Sequence, residues 1–343
     1  MIALYACGGE QGTSEYPIGL GFLKANCTED VKIVKDPVKL FEADVVGLSS
    51  NAWGLKEANV LCEDLRSQRK RTIILGGQGA LWSGFDQGGN YDFVVRGDGE
   101  RAFEAIVTEH KPDRVVTMRV ENLDHLNTPD RGSCPSGCVP LSTSRGCPFR
   151  CAFCSSYAQW GKPRFHSVGW IMEDIRHSVG RYKNTVEFNI LDDLWAYPPA
   201  RFAEFRDAWL SAGYNKKYRL RGFIRSNMAS KEMFLDMKRM GFTRIRFGAE
   251  YATDRMLKLV SKGETVADHQ RAIDIANEIG FPISASFMRG VPGETPEDVK
   301  ATRAFIAKNK GKLIVEGDYV FKPFPGAPLW NGEDPMSTDM RVR

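Results

Sequence analysis

Arg145-Gly146-Cys147-Pro148-Phe149-Arg150-Cys151-Ala152-Phe153-Cys154 sets three cysteines at CxxxCxxC spacing in a segment that glycine and proline bend into a loop. Three thiolates so spaced can hold three irons of a four-iron cluster and leave the fourth iron open. Structural zinc ordinarily takes four ligands, so three is an odd set for it. Two other readings stay open on the residues alone: a zinc knot of Cys134, Cys138, Cys151 and Cys154, and a redox pair of Cys151 and Cys154. Of eight cysteines, at 7, 27, 62, 134, 138, 147, 151 and 154, the last five crowd into one stretch. In a long chain that lacks the charged leader and apolar stretch of a signal peptide, such clustering points to metal and not to disulfides. Cys134 and Cys138 receive no role of their own.

The loop follows an apolar strand, Val139 to Ser144, and downstream the pattern repeats strand then helix. Strands are expected at Thr185–Leu191, Lys217–Arg225, Thr243–Glu250, Ile283–Arg289 and Leu313–Lys322, with helices near 168–181, 199–212, 230–240, 266–279 and 296–309. Six such steps make a partial (β/α)6 barrel, shorter than the roughly 250 residues of a closed eight-fold barrel. Functional groups should lie at the strand carboxyl ends. Upstream, Ile2–Ala6, Val31–Val34, Asp44–Ser49, Thr72–Leu75 and Phe93–Val95 read as bare strands between the helical stretches Ile18–Ala25, Leu55–Arg69 and Ala102–Glu109. That alternation implies an α/β Rossmann-like, doubly wound parallel sheet. The expected organisation is a first domain over 1–110, a linker over 111–138, the barrel over 139–330 and a tail over 331–343.

Composition is that of an ordinary packed protein: 42% hydrophobic, 26% charged, 11% aromatic. Forty-seven lysines and arginines against 43 acids give too small an excess to advertise a polyanion, and without basic clusters a nucleic-acid substrate is disfavoured. No apolar run nears the roughly 20 residues of a membrane span. A cytoplasmic protein acting on a small molecule is the expectation. Trp160, Trp195 and Tyr251, near strand ends, are candidates to line a pocket or simply to pack.

The cysteine triplet, with Phe153 before its last member, resembles the signature of the radical S-adenosylmethionine superfamily. The resemblance continues through Asn189-Ile190-Leu191-Asp192-Asp193, Gly248-Ala249-Glu250, Arg289-Gly290-Val291-Pro292-Gly293-Glu294-Thr295 and Phe324-Pro325-Gly326-Ala327-Pro328-Leu329. It implies that Cys147, Cys151 and Cys154 ligate a [4Fe-4S] cluster and that the barrel binds S-adenosylmethionine. Beside it, the residue types offer matching handles: Asp192 and Asp193 as acceptors for an ammonium, Glu250 for ribose hydroxyls, Arg225 or Arg289 for a carboxylate. Asp192 could equally cap a helix, and Arg289 could form a salt bridge on the barrel rim. Gly290 and Gly293 shape a turn.

The first domain is similar to the cobalamin-binding domain found before many such enzymes, on Tyr16-Pro17-Ile18-Gly19-Leu20, Asp44 to Ser50 with Trp53, Leu75-Gly76-Gly77, and Tyr91 to Glu100. By that resemblance Ser49, Ser50, Gly76, Gly77 and Gln78 are the corrin contacts. No histidine precedes His110, so cobalt would lack a lower imidazole, and Trp53 is placed to cover that face or to plug helix against sheet. The glycine pairs could also be tight turns of a sheet without ligand. Together the resemblances imply a cobalamin-dependent radical methyltransferase, fed by a low-potential donor such as flavodoxin or ferredoxin. The alternatives are a radical enzyme that performs a rearrangement, cyclisation or oxidation with the first domain as scaffold, and a non-catalytic zinc module.

Overall fold

The computed structural model describes residues 1–8, 17–87, 89–108, 113–132 and 137–332; Tyr16, Cys134 and the tail beyond residue 332 lie outside them. Two compact units result, one from the described residues of 1–134, 153–165 and 323–342, the other from those of 135–152 and 166–322.

In the first unit β1 (Ile2–Cys7), β2 (Val31–Ile33), β3 (Val45–Ser50), β4 (Thr72–Gly76), β5 (Phe93–Gly97) and β6 (Val115–Met118) form one parallel sheet in the order β2-β1-β3-β4-β5-β6. Leu4 packs with Leu20 of α1 (Ile18–Ala25) and Phe103 of α3 (Gly99–Val107), while Ala3, Val46 and Ile73 pack with Ala58 and Leu65 of α2 (Leu55–Gln68). Helices therefore cover both faces, which is why the strands read as uninterrupted apolar runs. The winding direction reverses between β1 and β3, and their register from Ile2↔Val45 to Cys7↔Ser50 ends both strands together. Sheets of this order leave a ligand crevice beyond the carboxyl ends at that point.

β6 lies inside the stretch read from sequence as linker; it pairs with β5 from Val94↔Val115 to Gly97↔Met118. Four residues among polar neighbours carry too little periodicity to announce a strand. The same unit includes α4 (Ser156–Trp160), which follows the cysteine loop. Arg164 anchors that segment through a buried ion pair with Asp98, whose Oδ2 also accepts from the Val120 N–H at 2.6 Å. Asp98 is thus committed to holding chain segments together.

In the second unit β7 (Cys138–Leu141) opens the barrel, followed by the two-residue β8 (Ser144–Arg145); β9 (Arg164–Phe165), beyond the cysteine loop in sequence, belongs to the first unit. β10 (Glu187–Ile190) pairs with β7 and with β11 (Arg219–Arg221), and β13 (Ile283–Arg289) with β12 (Ile245–Glu250) and β14 (Ile314–Val320), all parallel. Parallel bridges Leu220↔Phe242 and Ile224↔Phe247 join the two triplets into the six-strand partial barrel that the sequence implied. The intervening helices are α5 (Val168–Arg181), α6 (Pro199–Ser211), α7 (Lys231–Met240), α8 (Asp254–Leu259), α9 (Val266–Glu278) and α10 (Pro296–Lys308). Local signals fix their starts: Thr265 with Asp268 and Thr295 with Asp298 form capping boxes, and Pro296 sits at the first helical position. Trp195 and Tyr251 are fully buried, Trp195 edge-on to Phe205 at 5.2 Å, so both are core and not pocket lining. No helix among the described residues is long and apolar enough to cross a membrane.

Candidate functional site

The end of β7 is held by Asp192. Its carboxylate accepts from the Thr143 N–H at 2.7 Å, from the Ser144 N–H at 3.1 Å and from the Thr143 hydroxyl. Burial raises its pKa, and Thr143, Arg201 and Ser144 only partly offset that. Both oxygens accept hydrogen bonds inside the protein, and the carboxylate positions the start of the cysteine loop. Exposed Asp193 accepts from the Gly146 N–H at 3.1 Å, one residue before Cys147. Cys147 is half-buried, and burial raises its pKa against a backbone hydrogen bond from Phe149.

Cys151 is buried, and its Sγ lies 3.6 Å from Nη1 of Arg225. The Arg225 guanidinium stacks on Phe149 at 3.7 Å, donates through Nη2 to the Lys262 carbonyl and pairs with Glu264 Oε2 at 3.5 Å. Lys262 stands between Glu250 Oε1 at 3.2 Å and Glu264 Oε2 at 3.6 Å. Burial opposes the Lys262 charge, yet Glu250, Glu264 and Cys151 together hold its pKa above the ordinary lysine value. Glu264 is anchored by the Ser226 hydroxyl at 2.8 Å and the Asn227 N–H at 3.2 Å, and Ser226 Oγ also meets His269 Nδ1 at 2.7 Å. Lys262, Glu264, Ser226 and His269 are scattered over more than forty positions and carry no spacing signal. Only the packing of the β12–α9 connection against the residues after β11 brings them together.

Glu250 ends β12 with a φ of 61°, in the left-handed region that non-glycine residues rarely enter. A register shift between Gly248 and Glu250 turns the side chain back over Gly248, where a Cβ would collide with Oε1. Oε2 has no hydrogen-bond partner among the described residues, so an acceptor remains for a ligand. Arg289 pairs on the rim with Asp318 at 3.4 Å, both side chains about half exposed. Gly290 and Gly293 take φ values of 85° and 91° and make the turn read from the sequence.

At the carboxyl edge of the first unit, Gly77 adopts φ 83° and ψ −172°, and a Cβ there would lie 2.5 Å from the Ser50 carbonyl. Chain packing alone therefore explains this glycine. Beside Gly76 the nearest atom to such a Cβ is the Val95 carbonyl at 4.0 Å, leaving open space at the strand end. Ser50 is buried and its hydroxyl donates to the Asn51 carbonyl at 2.7 Å, whereas Ser49, paired through its backbone with Ala6 and Gly76, is half-buried. The Gln78 amide donates to Ser155 Oγ at 2.5 Å, so Gln78 braces the residue after Cys154. Half-buried Trp53 meets Phe324 edge-on, centroids 5.6 Å apart. Cys154 is exposed and accepts from the Ser156 N–H at 3.4 Å, and Phe153 is half-buried.

Residues 141–306 match the family model described as the Radical SAM superfamily. These residues form a radical SAM domain. An uncharacterized methyltransferase of Pyrococcus horikoshii is 27% identical over 93% of this chain and 78% of its own length. The radical S-adenosylmethionine methyltransferase TsrM of Kitasatospora setae, solved with cobalamin and a [4Fe-4S] cluster, superposes with a TM-score of 0.77 at 15% identity over 96% of this chain and 76% of its own. The cobalamin-dependent S-adenosylmethionine radical enzyme OxsB gives a TM-score of 0.73 at 17% identity over 89% of this chain and 51% of its own. At such identities the two solved structures establish a shared fold, Rossmann-like unit included.

For a radical SAM chain the donor set around the loop is apt. Among the described residues no group of three or more His, Cys, Asp or Glu is arranged to hold a metal ion. A cubane takes one thiolate per iron, so its cysteines have no need to meet at one atom. A zinc knot does need that, and Cys138 is badly placed for it: it begins β7, at the opposite end from the loop, with its Sγ 3.0 Å from Arg221 Nη2.

Proposed function

We propose that this radical SAM enzyme is a cobalamin-dependent methyltransferase acting on an unactivated carbon of a small metabolite. The observation that carries the reading is the joining, in one chain, of a radical SAM barrel to a parallel sheet whose β1/β3 crevice is edged by Ser49, Ser50 and the open ground beside Gly76. A [4Fe-4S] cluster with S-adenosylmethionine supplies one-electron bond cleavage, and cobalamin supplies methyl transfer. In this reading Cys147, Cys151 and Cys154 hold the cluster, with Asp192 and Asp193 fixing the backbone before Cys147. Glu250 accepts from ribose hydroxyls through its spare oxygen. Arg289, half exposed on the rim, is free to exchange Asp318 for a carboxylate. Ser49, Ser50 and Gly76 would admit the corrin, and Trp53, with no histidine in this unit before His110, would pack against it. A flavodoxin or ferredoxin would deliver the electrons.

Anaerobic reconstitution with iron, sulfide and hydroxocobalamin tests it. The expected result is corrin absorbance retained through desalting and, under reduction with S-adenosylmethionine, release of both 5′-deoxyadenosine and S-adenosylhomocysteine. Loss of all corrin together with deoxyadenosine release would overturn the methyltransferase reading in favour of cobalamin-independent chemistry.

A further inference from the structure

We propose that Arg225 is a positioning residue for the cluster, raising its reduction potential by holding a permanent charge and an N–H donor against the Cys151 sulfur. The inference rests on Cys147, Cys151 and Cys154 being the cluster ligands. It replaces the expectation that Arg225 binds a carboxylate of S-adenosylmethionine, because that guanidinium is engaged within the barrel: Lys262 and Glu264 hold one edge, Phe149 covers a face, and Nη1 is turned to Cys151. Its side chain is 6% exposed and that of Glu264 fully buried.

Arginine does not surrender its proton in a protein, so this charge is present at every working pH. Arg225 and Lys262 balance Glu250 and Glu264, which leaves the sulfur as the uncompensated negative group of the set. Reduction adds one more negative charge to a cluster ligated by that sulfur. A hydrogen bond to the sulfur and a weakly screened cation both favour the reduced form and raise the potential. Glu264 works in the opposite sense, by tempering Arg225 from its far side.

The experiment is an anaerobic redox titration of the reconstituted full chain, read by the electron paramagnetic resonance signal of the reduced cluster, with iron per chain measured in parallel. Arg225→Met should lower the midpoint by at least a tenfold shift in the reduction equilibrium, 59 mV for a one-electron couple. Arg225→Lys, which keeps the charge without the fork, should fall between Met and wild type. Glu264→Gln should move the midpoint upward. A merely structural role would reduce iron content or shift every variant the same way, and cannot produce opposite signs. Should Arg225→Met fail to load iron, Arg225→Lys and Glu264→Gln decide alone. Midpoints unchanged from wild type with iron intact would overturn the proposal. A wild-type chain that forms no four-iron cluster would overturn the ligand assignment beneath it.

Discussion

Asp192 offers the sharpest test of how the barrel presents the cysteine loop. Its carboxylate satisfies two buried amides, of Thr143 and Ser144, and the Thr143 hydroxyl. Asp192→Ala strands both amides, at about 1–3 kcal/mol each, and opens a small void, so about 3–5 kcal/mol of stability should be lost. In a unit of this size about 2–4 °C of melting temperature accompanies each kcal/mol, so 3 kcal/mol corresponds to a drop of about 6–12 °C. Asp192→Asn keeps an oxygen for both amides and removes a buried charge. Because burial raises the folded pKa of Asp192, ionisation costs stability as pH rises from the unfolded carboxylate pKa to the raised folded one, and the full penalty persists above it. The asparagine variant should therefore melt within about 1 kcal/mol of wild type at pH 7.5. Calorimetric melting of both variants without iron, followed by iron binding, is the assay. If Asp192→Ala melts with wild type, or Asp192→Asn falls as far as Asp192→Ala, the claim that this carboxylate organises the loop is wrong.

Three further outcomes are expected. Burial lowers the pKa of His269, so the unfolded chain takes up its proton first as pH falls. Stability should decline below pH ~6.5 by about 1.4 kcal/mol per unit until the folded pKa is reached, and His269→Phe should flatten that slope in urea titrations across pH 5.5–7.5. Gly77→Ala forces a nearly glycine-only conformation and should cost about 1–3 kcal/mol in denaturation, whereas Gly76→Ala should melt like wild type yet bind hydroxocobalamin less well in equilibrium dialysis. Serine at 147, 151 or 154 should each abolish stable iron loading, while Cys138→Ser should retain it by metal analysis.

Much of this was legible in the chain because local chemistry agreed with tertiary structure. The bare apolar runs at Thr72 and Phe93 fit strands covered on both faces, and Thr295-Pro296 ahead of Asp298 leaves a helix one place to begin. The cysteine spacing was equally plain. β6 escaped because four residues between polar neighbours carry no period, and only pairing with β5 makes them a strand. The charge set behind Cys151 escaped for a different reason: Lys262 and Glu264 sit one residue apart in a turn before a helix, a pattern that reads as solvated loop until packing buries it. Asp192 and Arg225 were singled out by residue type, but type does not say whether a charged group faces a ligand or the protein. The reach of Gln78 to Ser155, 77 positions on, is likewise set by packing and carries no spacing signal.

Cys147, Cys151 and Cys154 each ligate one iron of a four-iron cluster and leave the fourth iron for a ligand. Mössbauer spectroscopy of the anaerobically reconstituted chain, before and after S-adenosylmethionine, addresses it directly. The expected result is a four-iron spectrum in which one subsite alone changes its parameters when the sulfonium compound is added. Zinc in place of iron, or four irons indifferent to S-adenosylmethionine, would contradict it.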